Sequence, residues 1–116
     1  MRTIEPFGDY YWEFYNEQTE SVKSKIDYVM QIVMTVEKIP VNFFKHVEDG
    51  IYEIRIKVGS NIYRVFSFFE KGKLIILLHG FTKKTQKLPR KEIKRAIELR
   101  KAYYESINNG SQINTK

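Results

Sequence analysis

The sequence of 116 residues contains no cysteine, which excludes disulfide bonds and metal sites built from thiolates. This composition is typical of proteins kept in a reducing compartment. The longest aliphatic run covers residues 74–78, far short of the ~20 residues that a membrane-spanning helix needs. Residues 1–7 lack a basic stretch leading into an apolar one, which is the pattern of a secretory signal. We therefore expect a cytoplasmic protein that makes no contact with a membrane.

Basic side chains are scarce in the first half of the chain and acidic ones in the second. Residues 1–50 hold five basic and nine acidic side chains, a net charge of −4, whereas residues 51–116 hold fifteen basic and five acidic ones, a net charge of +10. Such asymmetry favours a polyanionic partner for the second half. The alternative is a charged surface that only keeps the protein soluble.

The first half reads as mainly helical. Residues 2–6 suit a short strand, and the aromatic-rich residues 9–18 suit a short helix. Apolar side chains recur at helical spacing through residues 20–38, which predicts an amphipathic helix. Residues 41–50 are expected to form a connector.

From Ile51 the apolar period changes to two, which is typical of strands. Residues 51–58 alternate between apolar and charged side chains, as a half-buried strand does. Gly59-Ser60 is a two-residue hairpin signal, so residues 61–70 form the next strand. Lys71-Gly72 is expected to turn the chain again into a third strand at residues 73–82.

The last part of the chain predicts a helix. Pro89 suits a first helical turn, and an apolar stripe follows until the Asn-Asn-Gly of residues 108–110, which is expected to end the helix. We expect one domain at residues 1–110 and a disordered tail at residues 111–116. The predicted class is α+β, a small antiparallel sheet with two N-terminal helices packed on it and a C-terminal helix.

Turn geometry fixes which side chains face each other across the predicted sheet. Two-residue turns place Arg55 opposite Arg64 and Arg64 opposite His79, with Lys57 diagonal to them. Like charges directly opposite cost roughly 0.2–1 kcal/mol per pair, so this row favours a bound anion, and the planar fork of arginine suits phosphate. The same face is expected to pack under a helix or against a partner through Ile51, Phe66, Phe68, Ile75 and Leu77.

Structural alternatives remain open for these residues. Arg55 would serve only to pair with Glu53 or with an acidic residue of the N-terminal part. His79 has apolar neighbours in sequence, as a core histidine would. The row also depends on both turns having two residues, since one more residue flips a face. His46 lies in the predicted connector, and we assign it no role.

A basic loop follows the third strand. Residues 80–89 hold three lysines, and we expect them at the end of the sheet that carries the Gly59-Ser60 turn. Contacts of this kind supply affinity for phosphate with little choice of sequence. The alternative, a solvated helix face, applies to the lysines of the last helix. We predict that RNA phosphates contact Lys57, Lys83, Lys87 and Arg90.

The residue types present are compatible with a ribonuclease that needs no metal or cofactor. The sequence shows no Ser-His-Asp set, phosphate-binding loop, metal-ligand spacing or dinucleotide fingerprint. RNA carries its own nucleophile, the 2′-hydroxyl, so the protein must supply a base, cations and an acid. Arg55 and Arg64 would stabilise charge, and His79 or a lysine with a lowered pKa would exchange the proton. The candidate catalytic residues are Arg55, Arg64, Lys84 and His79.

Three motifs together resemble a known family. Tyr-Glu-Ile-Arg at residues 52–55, Tyr-Arg-Val-Phe at residues 63–66 and Gly-Phe-Thr-Lys-Lys at residues 80–84 are similar to the HigB-like, phage-derived branch of the RelE/ParE toxin superfamily. The likeness covers nearly the whole chain. It implies a compact α+β domain that acts as a metal-independent mRNA endonuclease on the ribosome. It also implies a cognate helix-turn-helix antitoxin, HigA-like, that neutralises the toxin and represses the shared operon.

The resemblance assigns roles to individual residues. Arg64 matches the phosphate-stabilising arginine, Arg55 a basic position on the preceding strand, and Lys83 and Lys84 the basic residues after the last strand. Glu53 departs from relatives that have a basic residue there. A C-terminal tyrosine used by some relatives has no clear counterpart in this sequence, and His79 enters only through the register argument.

Two other functions compete with the nuclease. The ParE branch shares the fold but blocks DNA gyrase, and a plain nucleic-acid-binding module would also be basic. The arginine row favours RNA, because a gyrase blocker needs no converging cations on its sheet.

Overall fold

The computed structural model describes residues 1–83 and 88–114, and side chains within residues 1–82 and 88–109. This part of the chain forms one sheet and three helices, in the order β1 (Thr3–Pro6), α1 (Tyr10–Asn16), α2 (Glu20–Thr35), β2 (Phe44–Glu48), β3 (Ile51–Val58), β4 (Asn61–Lys71), β5 (Leu74–Lys83) and α3 (Arg90–Asn114). The predicted α+β class is confirmed. None of the described helices is long and apolar enough to cross a membrane.

The sheet has the strand order β1-β5-β4-β3-β2. Strands β2 to β5 form an antiparallel meander, in which each strand pairs with the next one along the chain. β1 pairs with β5 in parallel, with Thr3 opposite Leu74. The Arg2 side chain, just before β1, donates hydrogen bonds to the carbonyls of Val33 and Val36 at 3.0 and 2.6 Å. Arg2 thereby places a cation at the C-terminal end of α2, where free carbonyls favour positive charge.

Helices α1 and α2 cover one face of the sheet. α2 begins where the Thr19 hydroxyl accepts a hydrogen bond from the backbone N–H of Val22 at 3.4 Å, a side-chain N-cap. It ends at Thr35, three residues before the predicted end, because Val36 is extended. The core between these layers is formed by helix residues Tyr11, Phe14, Val22, Ile26, Val29, Met30 and Val33 and by strand residues Ile54, Ile56, Tyr63, Val65, Ile75 and Leu77.

Helix α3 covers the opposite face. Its buried side chains Ile93, Ala96 and Leu99 pack on the strand residues Ile51, Phe66, Phe68, Ile76 and Leu78. The helix continues to Asn114, so the predicted end at residues 108–110 is wrong. The predicted domain range of residues 1–110 stays a prediction.

The first hairpin follows the predicted register and the second does not. Val58 pairs with Asn61 across Gly59, which has a φ of 61° that favours glycine. The second turn is Gly72-Lys73 rather than Lys71-Gly72, so Lys71 pairs with Leu74.

Two bulges, one on each strand, also change the pairing of β4 with β5. The register shifts again between Val65 and Ser67, since β5 holds one more residue there than β4. Leu78 and His79 therefore lie on the same side of the sheet. The other shift lies between Phe69 and Lys71, where β4 holds one more residue than β5. Ile75 and Leu77, predicted on the face of the arginine row, therefore face α1 and α2.

Strand β2 occupies the segment that was predicted to be a connector. Phe44 to His46 pair with β3, and the turn that joins the two strands is Asp49-Gly50. Both turn residues have positive φ, 51° and 75°, as a type I′ hairpin turn requires. The prediction of a connector at residues 41–50 was wrong, because Asp49-Gly50 is a hairpin-turn signal that indicates a strand before it.

Candidate functional site

Two arginines lie side by side on adjacent strands. Arg55 on β3 is directly opposite Arg64 on β4, so this prediction is confirmed. Arg64 is 2% exposed, whereas the side chain of Arg55 is 30% exposed. The strand register alone brings the two cations together, since an alternating strand places facing residues on the same side.

Glu53, two residues before Arg55 on β3, lies between the two guanidinium groups. One carboxylate oxygen accepts a hydrogen bond from Arg64 Nη1 at 2.6 Å. The other is 3.4 Å from Arg55 Nε, without hydrogen-bond geometry. Glu53 is itself buried. The alternative that Arg55 contacts Glu53 is therefore confirmed, but as part of a cluster of two cations and one anion.

The remaining edge of Arg64 is its most informative feature. Among the described residues, its buried Nε and Nη2 have no hydrogen-bond partner. We call these two nitrogens the Arg64 fork, because they present parallel N–H groups along one edge of the guanidinium plane. Leaving a buried donor unpaired costs about 1–3 kcal/mol, and more if it is charged. A ligand with two acceptor oxygens, such as a phosphate, would remove this cost.

A cleft of about 340 Å³ gives access to the cluster. Besides Glu53 and the two arginines, it is lined by Lys45, His46, Val47 and Leu88. Lys45 lies directly opposite Glu53 across the β2–β3 pair and adds a third cation. The His46 ring accepts a hydrogen bond at Nε2 from the backbone N–H of Gly50 at 3.2 Å. The sequence argument missed both residues because it missed β2, although Asp49-Gly50 was the signal for that strand.

Comparison with known protein families decides what kind of protein contains this cluster. The model of a family described as phage-derived protein, Gp49-like, matches residues 13–101, well over half of the chain. The chain belongs to the Gp49-like family. This family is related to RelE- and HigB-type toxins. No curated protein matches the chain.

His79 of this Gp49-like protein does not face Arg64. Phe81 is opposite Arg64, because the second turn lies one residue later than predicted, which moves each pairing by two residues. The register shifts between Phe69 and Lys71 and between Val65 and Ser67 offset each other at this position. The predicted pairing of Arg64 with His79 is therefore wrong. The His79 ring lies 5.6 Å from the Phe66 ring and 5.9 Å from the Phe81 ring, centre to centre.

Burial of His79 affects its protonation. Its Nε2 lies 3.2 Å from a carboxylate oxygen of Glu92 on α3. Burial, followed by the nearby charge of Arg95, lowers the pKa of His79 below 6.5, and Glu92 opposes this shift only in part. The neutral ring is therefore favoured in the folded protein, as expected of a histidine that belongs to the core.

The predicted phosphate-binding residues of the Gp49-like chain lie in different places. Lys57 is exposed on β3, two residues after Arg55. Lys83 is the last residue of β5, opposite Ile62, which is the expected end of the sheet. Lys84 and Lys87 lie outside the described residues.

Arg90 begins α3, and its exposed guanidinium contacts both carboxylate oxygens of Glu48 at 2.5 and 3.1 Å. This hydrogen bonding raises the pKa of Arg90 and lowers the pKa of Glu48. The pair joins the start of α3 to the end of β2. A role of Arg90 in binding phosphate stays a prediction.

Within residues 1–83 and 88–114, no group of three or more His, Asp or Glu side chains is placed to hold a metal ion. The chemistry that the described cluster offers is the binding of an anion by two arginines, with Glu53 holding Arg64 in position.

Proposed function

We propose that this Gp49-like protein is the toxin of a type II toxin–antitoxin pair, of the HigB-like branch, and that it cleaves mRNA on the ribosome in the cytoplasm. The observation that carries the proposal is the Arg64 fork, a buried pair of donors beside a second arginine at a cleft. Membership of a family related to RelE- and HigB-type toxins supports it.

The proposed reaction uses the RNA as its own nucleophile. The 2′-oxygen attacks the adjacent phosphorus, the bond from phosphorus to the 5′-oxygen breaks, and the products are a 2′,3′-cyclic phosphate and a 5′-hydroxyl. Arg64 and Arg55 would bind the non-bridging oxygens and stabilise the charge that builds up on them. The 2′-hydroxyl loses one proton, and the leaving 5′-oxygen gains one. We assign this transfer to Lys84 rather than to His79, because His79 packs between aromatic rings under α3.

Glu53 has a defined part in this proposal. A buried arginine without a counter-charge would be strongly destabilising, so the carboxylate keeps Arg64 in place while the site is empty. An incoming phosphate would bind the fork while Nη1 stays on Glu53. Two arginines and Lys45 against one carboxylate leave the cleft net positive, which attracts RNA.

The proposed partner is a helix-turn-helix antitoxin, HigA-like. An acidic segment of that antitoxin would complement the positive cleft and keep RNA away from the Arg64 fork. A structure of the complex in which Arg55 and Arg64 stay open would show that inhibition works by another route.

The test is to express the protein inducibly and to map the 5′ ends of cellular mRNA. Arg64→Ala and Arg55→Ala should abolish the new 5′ ends and restore growth. Lys73→Ala is the matched control, because Lys73 is an exposed cation in the distant Gly72-Lys73 turn. Circular dichroism should first confirm that every variant folds.

New 5′ ends within translated messages, lost in both arginine variants and kept in the control, would support the proposal. Intact mRNA together with DNA damage would instead indicate a gyrase inhibitor. Growth arrest that persists in Arg64→Ala would show that the toxicity does not depend on the arginine cluster.

A further inference from the structure

A second, larger cleft adjoins the arginine cluster. Its volume is about 690 Å³, and Arg55 lines both clefts. Besides Arg55, its lining includes Lys25, Asn42, Phe43 and Lys57. The second cleft extends from Arg55 to the β3–β4 turn, where Gly59 lies.

Different parts of the fold bring these side chains together. Lys25 is on α2, and its ammonium group lies 5.0 Å from the centre of the Tyr28 ring. Phe43 precedes β2, and its carbonyl accepts a hydrogen bond from the backbone N–H of Arg55 at 2.9 Å. That bond fixes Phe43 beside Arg55. The Phe43 ring packs partly on the core and is only half-buried, so part of it remains exposed.

The two clefts differ in charge. The first contains the Glu53 carboxylate beside its cations, whereas the second has three cations, Arg55, Lys25 and Lys57, and no acidic side chain among the described residues that line it. A positive groove with an aromatic ring is the combination that binds single-stranded nucleic acid, because any base stacks on the ring while lysines contact the backbone. Asn42 adds an amide that can hydrogen-bond a base edge.

We propose that the second cleft binds the nucleotide next to the phosphate held by Arg64, with its base on Phe43 and its phosphate on Lys25 and Lys57. This inference rests on the proposed function, since it takes RNA as the ligand. Arg55 lies where the clefts meet and would contact the backbone between the two nucleotides. The site would then recognise a short single strand rather than an isolated phosphate.

The experiment compares two ligands that cannot be cleaved because their 2′-oxygen is methylated: a uridine 3′-monophosphate and a uridine trinucleotide with a 3′-phosphate. Affinities are measured by NMR titration of the full chain labelled with ¹⁵N. The trinucleotide should bind about tenfold more tightly, since one stacked base and its phosphate contacts supply that much. Phe43→Leu, which keeps an apolar side chain for the core, and Lys25→Ala should each weaken trinucleotide binding about fivefold. Neither should change mononucleotide binding.

Lys23→Ala is the matched control. Lys23 lies two positions before Lys25 on the same helix. Its ammonium group contacts Glu20 and the Tyr15 ring, and it is not among the described residues that line the cleft. It should bind both ligands as the wild type does. Salt dependence adds a readout that a merely structural role would not move. The slope of log affinity against log salt for the trinucleotide should fall by about 0.7 in Lys25→Ala, as for one lost phosphate contact on a single strand.

The outcomes separate this inference from the proposed function. Equal affinity for the two ligands, or equal effects of Lys23→Ala and Lys25→Ala, would overturn the proposal that the second cleft binds a nucleotide. The proposed function would still stand if Arg64→Met abolished mononucleotide binding. Trinucleotide binding that depends on Lys25 but not on Arg64 would support the second cleft and count against the proposed phosphate site. Binding of an acidic peptide at Lys25 without binding of RNA would reject the cleft as a nucleotide site.

Discussion

Arg64 on β4 and His79 on β5 are both buried on the side of the sheet that faces α3, and each lies beside one glutamate. The guanidinium group of an arginine is a permanent cation in proteins. His79 is free to become neutral, and burial favours that state. Arg64 lines a cleft with other cations. His79 packs against Phe66 and Phe81 and lines a smaller cleft, of about 190 Å³, together with Arg95 and two glutamates of the α1 region.

The difference teaches which buried polar residue to associate with function. Burying a permanent charge is expensive, and a hydrophobic pair of similar size is often at least as stable. Stability therefore gives little reason to place Arg64 and Glu53 where they are, whereas binding an anion does. His79 carries no permanent charge, so its burial costs less, and its one buried nitrogen without a partner among the described residues, Nδ1, belongs to a ring that is favoured in the neutral form.

The largest effect is expected from breaking the Glu53–Arg64 pair. Glu53→Leu alone should lower the free energy of unfolding by about 3–5 kcal/mol, because it leaves the buried Arg64 without a counter-charge. Arg64→Met alone should lower it by less, because Arg55 stays 3.4 Å from the Glu53 carboxylate. The double variant should recover most of this loss, or exceed the wild type by about 1–4 kcal/mol, while losing anion binding. Urea unfolding and phosphate titration would measure the two properties. A double variant no more stable than either single one would show that the pair itself stabilises the fold.

A smaller effect is expected at the other site. His79→Ala should lower the free energy of unfolding by about 1–3 kcal/mol, since it removes a buried ring and its contact with Glu92. Phosphate affinity should stay unchanged, because His79 is not among the described residues that line the cleft at Arg64. The same two assays test this, and a tenfold loss of phosphate affinity would tie His79 to the anion site after all.

The two residues should also differ in their response to pH. The folded pKa of His79 lies below 6.5, so the unfolded chain takes up its proton first as pH falls. The contribution of His79 to stability is therefore complete above pH 6.5 and is lost as pH falls through the folded pKa. Urea midpoints at about pH 7.5 and about pH 5.5 should differ less in His79→Gln than in the wild type. An equal difference would assign the pH dependence to the carboxylates.

The smallest effect is expected at the exposed pair of Arg90 and Glu48. The side chain of Arg90 is 73% exposed and that of Glu48 is 39% exposed, and ion pairs in contact with solvent contribute little to stability. Arg90→Ala and Glu48→Ala should leave the urea midpoint unchanged within error. A clear shift in both would show that α3 needs this contact to stay docked on the β2 end of the sheet.

Much of the fold follows from local patterns in the sequence. Alternation in residues 51–58 and the turn at Gly59-Ser60 were enough to predict that Arg55 faces Arg64. Helical spacing predicted α2 to within three residues at its end. These signals are local, since each depends on neighbours within a few positions.

The misses concern features that neighbours in sequence do not determine. The bulge on β5 adds one residue opposite Phe66, and no local pattern distinguishes it from regular strand. The second turn lies one residue later than predicted, and this change moved His79 away from Arg64 and so altered the predicted site. The role of Glu53 was also out of reach, because the pairing of its buried carboxylate with Arg64 depends on the assembled sheet.

The parallel pairing of β1 with β5 bears on how the chain reaches this fold. The meander from β2 to β5 grows by hairpins whose ends are close in sequence, so each closes at a small entropic cost. The pairing of Thr3 with Leu74 joins residues farther apart in sequence than any other pairing of the described strands. It can form only after most of the chain has been synthesised. Contacts of long range slow folding. The arginine cluster lies wholly within the meander of β2 to β5. It is therefore expected to form before β1 joins the sheet.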